Sequence, residues 1–202
     1  MINVLEKAID LNYRAWLPRH LDACILDVGC GDGRMLRYLS TNGYSNVIGV
    51  DRDSAELAKI GRLEGVTAEC AHVDIEYLHR HRGKFDLIIL KQMIYYVDRS
   101  EILTFMLALK DALSNDGIII VEFFNASLLS SRMTEMKDPY IRTAYTEHSM
   151  HRLFTATGLK TLSISGERRV NLKFRSYIYA LLRTCWISML KVIYILERGL
   201  DN

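Results

Sequence analysis

Two prolines in 202 residues leave few fixed breaks, and no low-complexity stretch or internal repeat divides the chain. The simplest division is one domain over residues 1–175, with 1–20 as an N-terminal helical cap, and an appendage over 176–202. Cysteine is also scarce. Cys24, Cys30, Cys70 and Cys185 show neither a Cys-x-x-Cys step nor Cys/His ligand spacing. That excludes a disulfide framework and a metal site of that kind, and it points to a reducing compartment. The opening Met-Ile-Asn-Val-Leu-Glu-Lys places acid and base early and lacks an apolar signal core, so a cytoplasmic chain is expected. A basic face interleaved with aromatics is missing from the body, which argues against a nucleic-acid partner.

Half the residues are hydrophobic and a quarter charged, which is ordinary globular usage. The net charge of +2 is unevenly spread. Residues 1–140 hold 16 Lys and Arg against 20 Asp and Glu; residues 141–202 hold 10 against 4. An acidic body thus carries a basic tail. Two readings of the tail stand: an anionic partner, or a solvated basic surface.

Short apolar runs alternate with longer helical patterns. Strands are expected at Cys24–Val28, Val47–Val50, Val66–Ala71, Phe85–Leu90 and Ile118–Phe124, the last entered by a turn at Asn115-Asp116-Gly117. Helices are expected at Gly33–Thr41, Ser54–Arg62, Ser100–Leu113 with Ser100 as N-cap, and Thr146–Thr157, with a late strand at Leu159–Ile164. Strands apolar on both faces belong inside a helix-covered parallel sheet, and repeated β-α units give a doubly wound one.

The strongest local signal is Ile25-Leu26-Asp27-Val28-Gly29-Cys30-Gly31-Asp32-Gly33. A strand ends in an acid, then glycine recurs at every second position into a helix start. Glycine permits close approach of a ligand to the backbone, and such sites lie outside the carboxyl ends of parallel strands. A nicotinamide fingerprint would read G-x-G-x-x-G; here Asp27 would crowd a pyrophosphate, and it suits an ammonium group instead. Asp51 ends the second strand, eighteen residues after Gly33, where a carboxylate can accept both hydroxyls of a ribose. Asp74 follows the third strand. It has two readings: an acceptor for an adenine amino group, with Ile75 against the ring, or a plain N-cap for Ile75–His79.

These runs, together with Phe85-Asp86-Leu87-Ile88-Ile89 and the Leu113–Ile120 turn-strand, resemble class I S-adenosylmethionine-dependent methyltransferases over about residues 20–165. The resemblance implies an α/β, doubly wound, mostly parallel seven-stranded Rossmann-like sheet and S-adenosyl-L-methionine as cofactor. It places Gly29 and Gly31 at the methionine moiety, Asp27 at its amino group, Asp51 at the ribose, and Asp74 and Ile75 at the adenine. Cys30, Arg52 and Lys91 complete the expected cofactor-binding set. A narrower resemblance lies in Phe124-Asn125, Tyr145-Thr146-Glu147-His148-Ser149-Met150, Thr157-Gly158-Leu159 and Leu196-Glu197-Arg198-Gly199. These are similar to a branch found in bacterial surface-polysaccharide and lipopolysaccharide biosynthesis.

The function this implies is methyl transfer, with O-methylation of a sugar or glycan intermediate as the first reading. A methyltransferase for a soluble small metabolite and a catalytically silent binding protein are the alternatives. Where such families show Glu-His after the fourth strand, this chain has Tyr95-Tyr96; where the branch shows Asp-x-Thr-His, it has Asp138-Pro139-Tyr140-Ile141. Both changes remove histidines. The remaining candidate catalytic residues are His148, Tyr96 and Glu122, with Asn125 as a further acceptor contact. No metal ligands are expected. No Asn-Pro-Pro-Tyr-like step follows the fourth strand, which disfavours a flipped-base substrate.

Ser176–Leu196 reads as an amphipathic helix, with Ser176, Arg183, Thr184, Ser188, Lys191 and Arg198 on one narrow stripe at helical spacing. Arg183 and Lys191 argue against a membrane-spanning segment. Burial on its own domain, a homodimer contact, or peripheral contact with the inner face of a membrane through upstream Arg168, Arg169, Lys173 and Arg175 are the readings left open.

Overall fold

The structure, a computed structural model, describes residues 4–127, 138–168, 170 and 191–198. Helix α1 (Val4–Tyr13) leads into strand β1 (Ile25–Val28), then α2 (Arg34–Thr41) and β2 (Val47–Asp51). A short α3 (Ser54–Leu57) precedes β3 (Val66–Cys70), and α4 (Ile75–Arg80) precedes β4 (Phe85–Lys91). Of two 3-10 turns among the described residues, Arg14–Trp16 follows α1 and Ile94–Tyr96 leads to α5 (Ile102–Ala112) and β5 (Leu113–Phe124). The chain closes with α6 (Glu147–Ala156), β6 (Leu159–Gly166) and β7 (Lys191–Arg198).

Among the described residues the sheet runs β3-β2-β1-β4-β5-β7-β6. The first five strands are parallel, and β7 pairs antiparallel with both β5 and β6. Strand order reverses between β1 and β4, the switch point where open α/β sheets take ligands. Every residue of β1 is buried, as a central parallel strand requires. Two apolar layers cover the sheet. One gathers Leu26, Val28, Leu78, Ile88, Phe105, Phe123 and Phe154. The other gathers Ile25, Leu36, Leu39, Leu87, Ile89 and Ile120 with Ile9 and Tyr13 of α1. Burying each such side chain contributes about 1.5–3 kcal/mol.

Three local expectations change. The helix after β2 stops at Leu57 rather than Arg62, because the chain turns at Ala58–Ile60 and reaches Gly61 at φ +70°, a left-handed conformation. Helix α5 starts at Ile102, so Ser100 is not its N-cap; the first-turn amides of Glu101 and Ile102 donate to the Asp98 carbonyl. Strand β5 begins at Leu113, and Asn115-Asp116-Gly117 lie within it at a register shift against Phe85 and Leu87 of β4.

The largest correction concerns the tail. Lys191–Arg198 is a strand, not the end of a helix. Val192–Leu196 is apolar at every position and rich in β-branched residues, so it suits a slot between two strands on both faces. The long β5 would otherwise present an unpaired apolar edge. Residues 171–190 lie outside the described residues, and with them most of the expected amphipathic helix and Arg175. Among the described residues, no helix is long and apolar enough to cross a membrane.

Candidate functional site

The site stands at the carboxyl ends of β1, β4 and β2. Gly29, Gly31 and Gly33 all have positive φ, at +73°, +53° and +76°. The amides of Gly29 and Cys30 donate to the Val50 carbonyl at 2.8 and 3.2 Å, which ties the loop to β2. A Cβ on Gly29 would stand 3.0 Å from Met93 Cβ, and one on Gly33 would stand 2.8 Å from Ile60. A Cβ on Gly31 would meet nothing within 4 Å. Gly29 and Gly33 are therefore demanded by packing, whereas Gly31 faces open space at the top of the loop.

Asp51 uses both carboxylate oxygens. One accepts from the Gly31 amide at 2.8 Å, the other from the Asp53 amide at 2.9 Å. Its orientation is fixed before any ligand arrives. Asp27 is 2% exposed. Burial raises its pKa to about 7, the nearby Asp51 adds to the rise, and the Lys91 ammonium works against it. A buried carboxyl poised near neutrality favours a cationic ligand, whose charge restores the ionised form. Burial likewise pushes the Cys30 thiol up, so it is no nucleophile at neutral pH.

Asp74 caps α4, accepting from the Tyr77 amide at 2.8 Å. The plain N-cap reading thus holds, and the carboxylate, which is exposed, keeps a second oxygen for other use. Ile75 is half-buried beside it.

Glu122, at the end of β5, is 2% exposed. Tyr13 of α1 donates its hydroxyl to one oxygen, and Gln92 donates its side-chain amide to the other at 2.7 Å. The Gln92 backbone amide also donates, at 2.8 Å, to the Glu122 carbonyl. Gln92 has φ +56°, a left-handed conformation at a residue with a Cβ. Burial first, then the Glu122 and Asp27 carboxylates, push the Tyr13 phenol well above its ordinary range. Buried Tyr13 and Glu122 and half-buried Gln92 thus form one hydrogen-bonded group, and the buried Asp27 carboxyl lies near enough for its charge to act on Tyr13.

A second group is built on the Ile94–Tyr96 turn. Tyr96 donates its hydroxyl to Asp138 at 2.7 Å, and the Arg142 and Thr143 amides donate to the Tyr95 carbonyl. Tyr95 stacks on Phe124 with ring centroids 6.1 Å apart. Burial and the Asp138 contact push the Tyr96 phenol to about 12. The strap 138–145 then bridges Tyr145 to Asn125 at the end of β5. Among the described residues, the buried hydroxyls of Thr143 and Tyr145 have no partner within hydrogen-bond geometry. His148, by contrast, is exposed in the first turn of α6, whose cap is the reciprocal Thr146–Ser149 pair. The structure does not bring it into the Glu122 group. Arg52 is exposed, and its charge is felt at Tyr96 and Asp138. A cavity of about 700 Å³ lies elsewhere, along Ile60–Val66, and holds none of the expected site residues.

A family model described as a methyltransferase domain matches residues 3–164. The chain belongs to this methyltransferase-domain family. No curated protein matches it by sequence. A solved S-adenosylmethionine-dependent methyltransferase from Mesorhizobium loti superposes with a TM-score of 0.76 at 19% identity, covering 95% of this chain and 98% of that one. One from Listeria monocytogenes superposes at 0.73 and 16% identity, covering 96% and 97%. The 1,6-didemethyltoxoflavin-N1-methyltransferase of Burkholderia thailandensis, solved with bound 1,6-didemethyltoxoflavin and S-adenosylhomocysteine, superposes with a TM-score of 0.62 at 16% identity, covering 96% of this chain and 76% of that one. At such identities the likeness is one of fold.

S-adenosylmethionine is the cofactor of this fold and family, and the residues present fit it. Space above Gly31 admits a ligand, Asp51 is held ready to accept hydrogen bonds, and buried Asp27 calls for a cation. Three site residues escaped the sequence reading: Tyr13, Asn12 and Gln92. Asn12 accepts from the Arg168 amide at 2.7 Å and donates to its carbonyl at 2.8 Å. Their partners lie far along the chain. Only the position of Gln92, directly after a strongly apolar strand, was a local signal.

Proposed function

We propose that the chain is a methyltransferase acting on a hydroxyl of a sugar or glycan intermediate. The observation that carries the methyl-transfer half is the Asp27–Gly31–Asp51 arrangement: a buried carboxyl seeking a cation beside a carboxylate already oriented across an open glycine. Bound there, S-adenosylmethionine supplies a methyl carbon activated by a sulfonium. Asp27 accepts from its ammonium group, Asp51 from its ribose hydroxyls, and Asp74 with Ile75 borders the adenine. Lys91 acts on Asp27 against the effect of burial, Cys30 lies within the loop, and Arg52 follows Asp51.

The acceptor is placed by residues beyond β4 and β5. Alignment alone supplies much of the acceleration of an in-line displacement. A hydroxyl acceptor also needs a proton acceptor. Tyr96 does not fill that role at neutral pH, because its hydroxyl donates to Asp138 and titrates near 12. Glu122 already accepts from Tyr13 and Gln92. His148, three residues past Tyr145, is the remaining candidate base. The glycan assignment rests on the resemblance of Phe124-Asn125, Tyr145–Met150 and Thr157–Leu159. It gains support from the Asn125–Tyr145 bridge, which joins the first two of these runs.

A soluble heteroaromatic or other small acceptor is the second reading. It draws on the Burkholderia neighbour, which binds such a molecule. Contact of the basic tail with a membrane face, or with a second copy, is part of the first reading and rests on residues 171–190. Incubation with methyl-labelled S-adenosylmethionine and panels of nucleotide sugars, lipid-linked glycans and heteroaromatic metabolites separates the two. Label in a glycan supports the first reading; label only in a small metabolite replaces it.

A further inference from the structure

Helix α1 reaches the site through two adjacent residues. Asn12, 8% exposed, makes a reciprocal pair with the Arg168 backbone just past β6. Tyr13, 2% exposed, donates to Glu122. Glu122 in turn holds Gln92 twice, by side chain at 2.7 Å and by backbone at 2.8 Å. The next residue, Met93, is the one a side chain at Gly29 would strike. A continuous path therefore runs from α1 to the cofactor loop: Tyr13, Glu122, Gln92, Met93, Gly29.

Gln92 is the sensitive step. A residue with a Cβ at φ +56° is uncommon and is kept there only when its surroundings over-determine it. Both Gln92 contacts end on Glu122. The Glu122 carboxylate, buried at the end of β5, needs donors of its own, and Tyr13 is one of them. Removing the Tyr13 hydroxyl leaves a buried carboxyl oxygen without that donor, and the network that fixes Gln92 loosens.

We infer that Tyr13 is a positioning residue for the cofactor loop: by holding Glu122 it fixes the left-handed backbone at Gln92 and so the seat of Met93 against Gly29. This rests on the methyltransferase reading for its consequence, though not for its geometry. The N-terminal helix is then part of the site rather than a cover over the core.

The test uses the full chain in two arms. The first is ligand-free. Hydrogen exchange of the Gln92 amide, which donates to Glu122, accelerates about tenfold in Tyr13→Phe, while amides of β1 remain as protected as in the wild type. The second measures S-adenosylhomocysteine binding by calorimetry. Tyr13→Phe weakens it about tenfold, the order expected for one hydrogen bond to a charged group. In a Gln92→Gly background the left-handed backbone carries no Cβ penalty, and the same Tyr13→Phe change costs less than about twofold. Equal losses in both backgrounds, an unaltered affinity in Tyr13→Phe, or unaltered Gln92 exchange overturns the inference. A wild type that binds no S-adenosylhomocysteine overturns the methyltransferase reading instead, and the exchange arm still decides the role of Tyr13.

Discussion

The amide of Gly31 donates to a carboxylate oxygen of Asp51 across 2.8 Å, joining the loop after β1 to the end of β2. A glycine with open space above it and a pre-oriented acid below form the two sides of one cradle. Asp51→Ala removes the acid without disturbing the sheet. It should weaken S-adenosylhomocysteine binding by one to two orders of magnitude, since about 1.5–3 kcal/mol rides on hydrogen bonds to a charged group. Titration calorimetry on the purified variant measures this directly.

Asp27 makes affinity depend on pH. Its folded pKa of about 7 lies above the ordinary 3.8, because burial disfavours the charged form. The folded ligand-free protein therefore binds a proton that the unfolded chain has released. The resulting stabilisation is present at low pH and is lost as pH rises from about 4 through 7. Asp27→Asn should raise the ligand-free Tm at pH 8, change it less at pH 5, and abolish cofactor binding. In the wild type, cofactor affinity should fall as pH drops below 7, because the ammonium competes with that proton.

Glycine at position 49 is a packing requirement. A Cβ there would stand 2.4 Å from Leu36 Cδ1, a fully buried side chain. Gly49→Ala should cost about 1–3 kcal/mol through overpacking, read as a lower urea midpoint at unchanged slope.

The cap of α6 has a smaller and more local effect. Thr146 and Ser149 satisfy each other's backbone amides. Thr146→Ala should lower stability by about 1 kcal/mol. Cofactor affinity should not change, because the cap lies apart from the glycine loop. Urea unfolding and calorimetry on the same sample test both halves.

Truncation distinguishes the strand at the tail from a detachable appendage. A chain ending at Arg175 lacks β7, leaving β5 and β6 without the strand that pairs with both. That chain should be insoluble or lack a cooperative transition. A well-folded truncation would contradict the strand.

The parts of this molecule legible in its sequence are those decided by neighbours a few residues away. Asp27, Gly29, Gly31 and Asp51 follow from strand ends and glycine spacing, and the structure sets all four at the carboxyl ends of β1 and β2. The parts that were not legible depend on distant partners. Val192–Leu196 carries enough apolar residues for a helix face or a strand, and the choice is made by β5, some seventy residues earlier. Tyr13 looks like an ordinary apolar position of an amphipathic helix; its partner Glu122 is 109 residues away. Asp74 reads in sequence as a ligand contact with a helix cap as its competitor, and the structure shows the cap.

The most direct measurement of the central claim is binding of S-adenosylhomocysteine to the full-length wild type beside Asp27→Asn and Asp51→Ala. One saturable site in the wild type, lost in Asp27→Asn and weakened at least tenfold in Asp51→Ala, is the predicted result. No binding to a wild type that unfolds cooperatively, or equal binding by all three proteins, would contradict it.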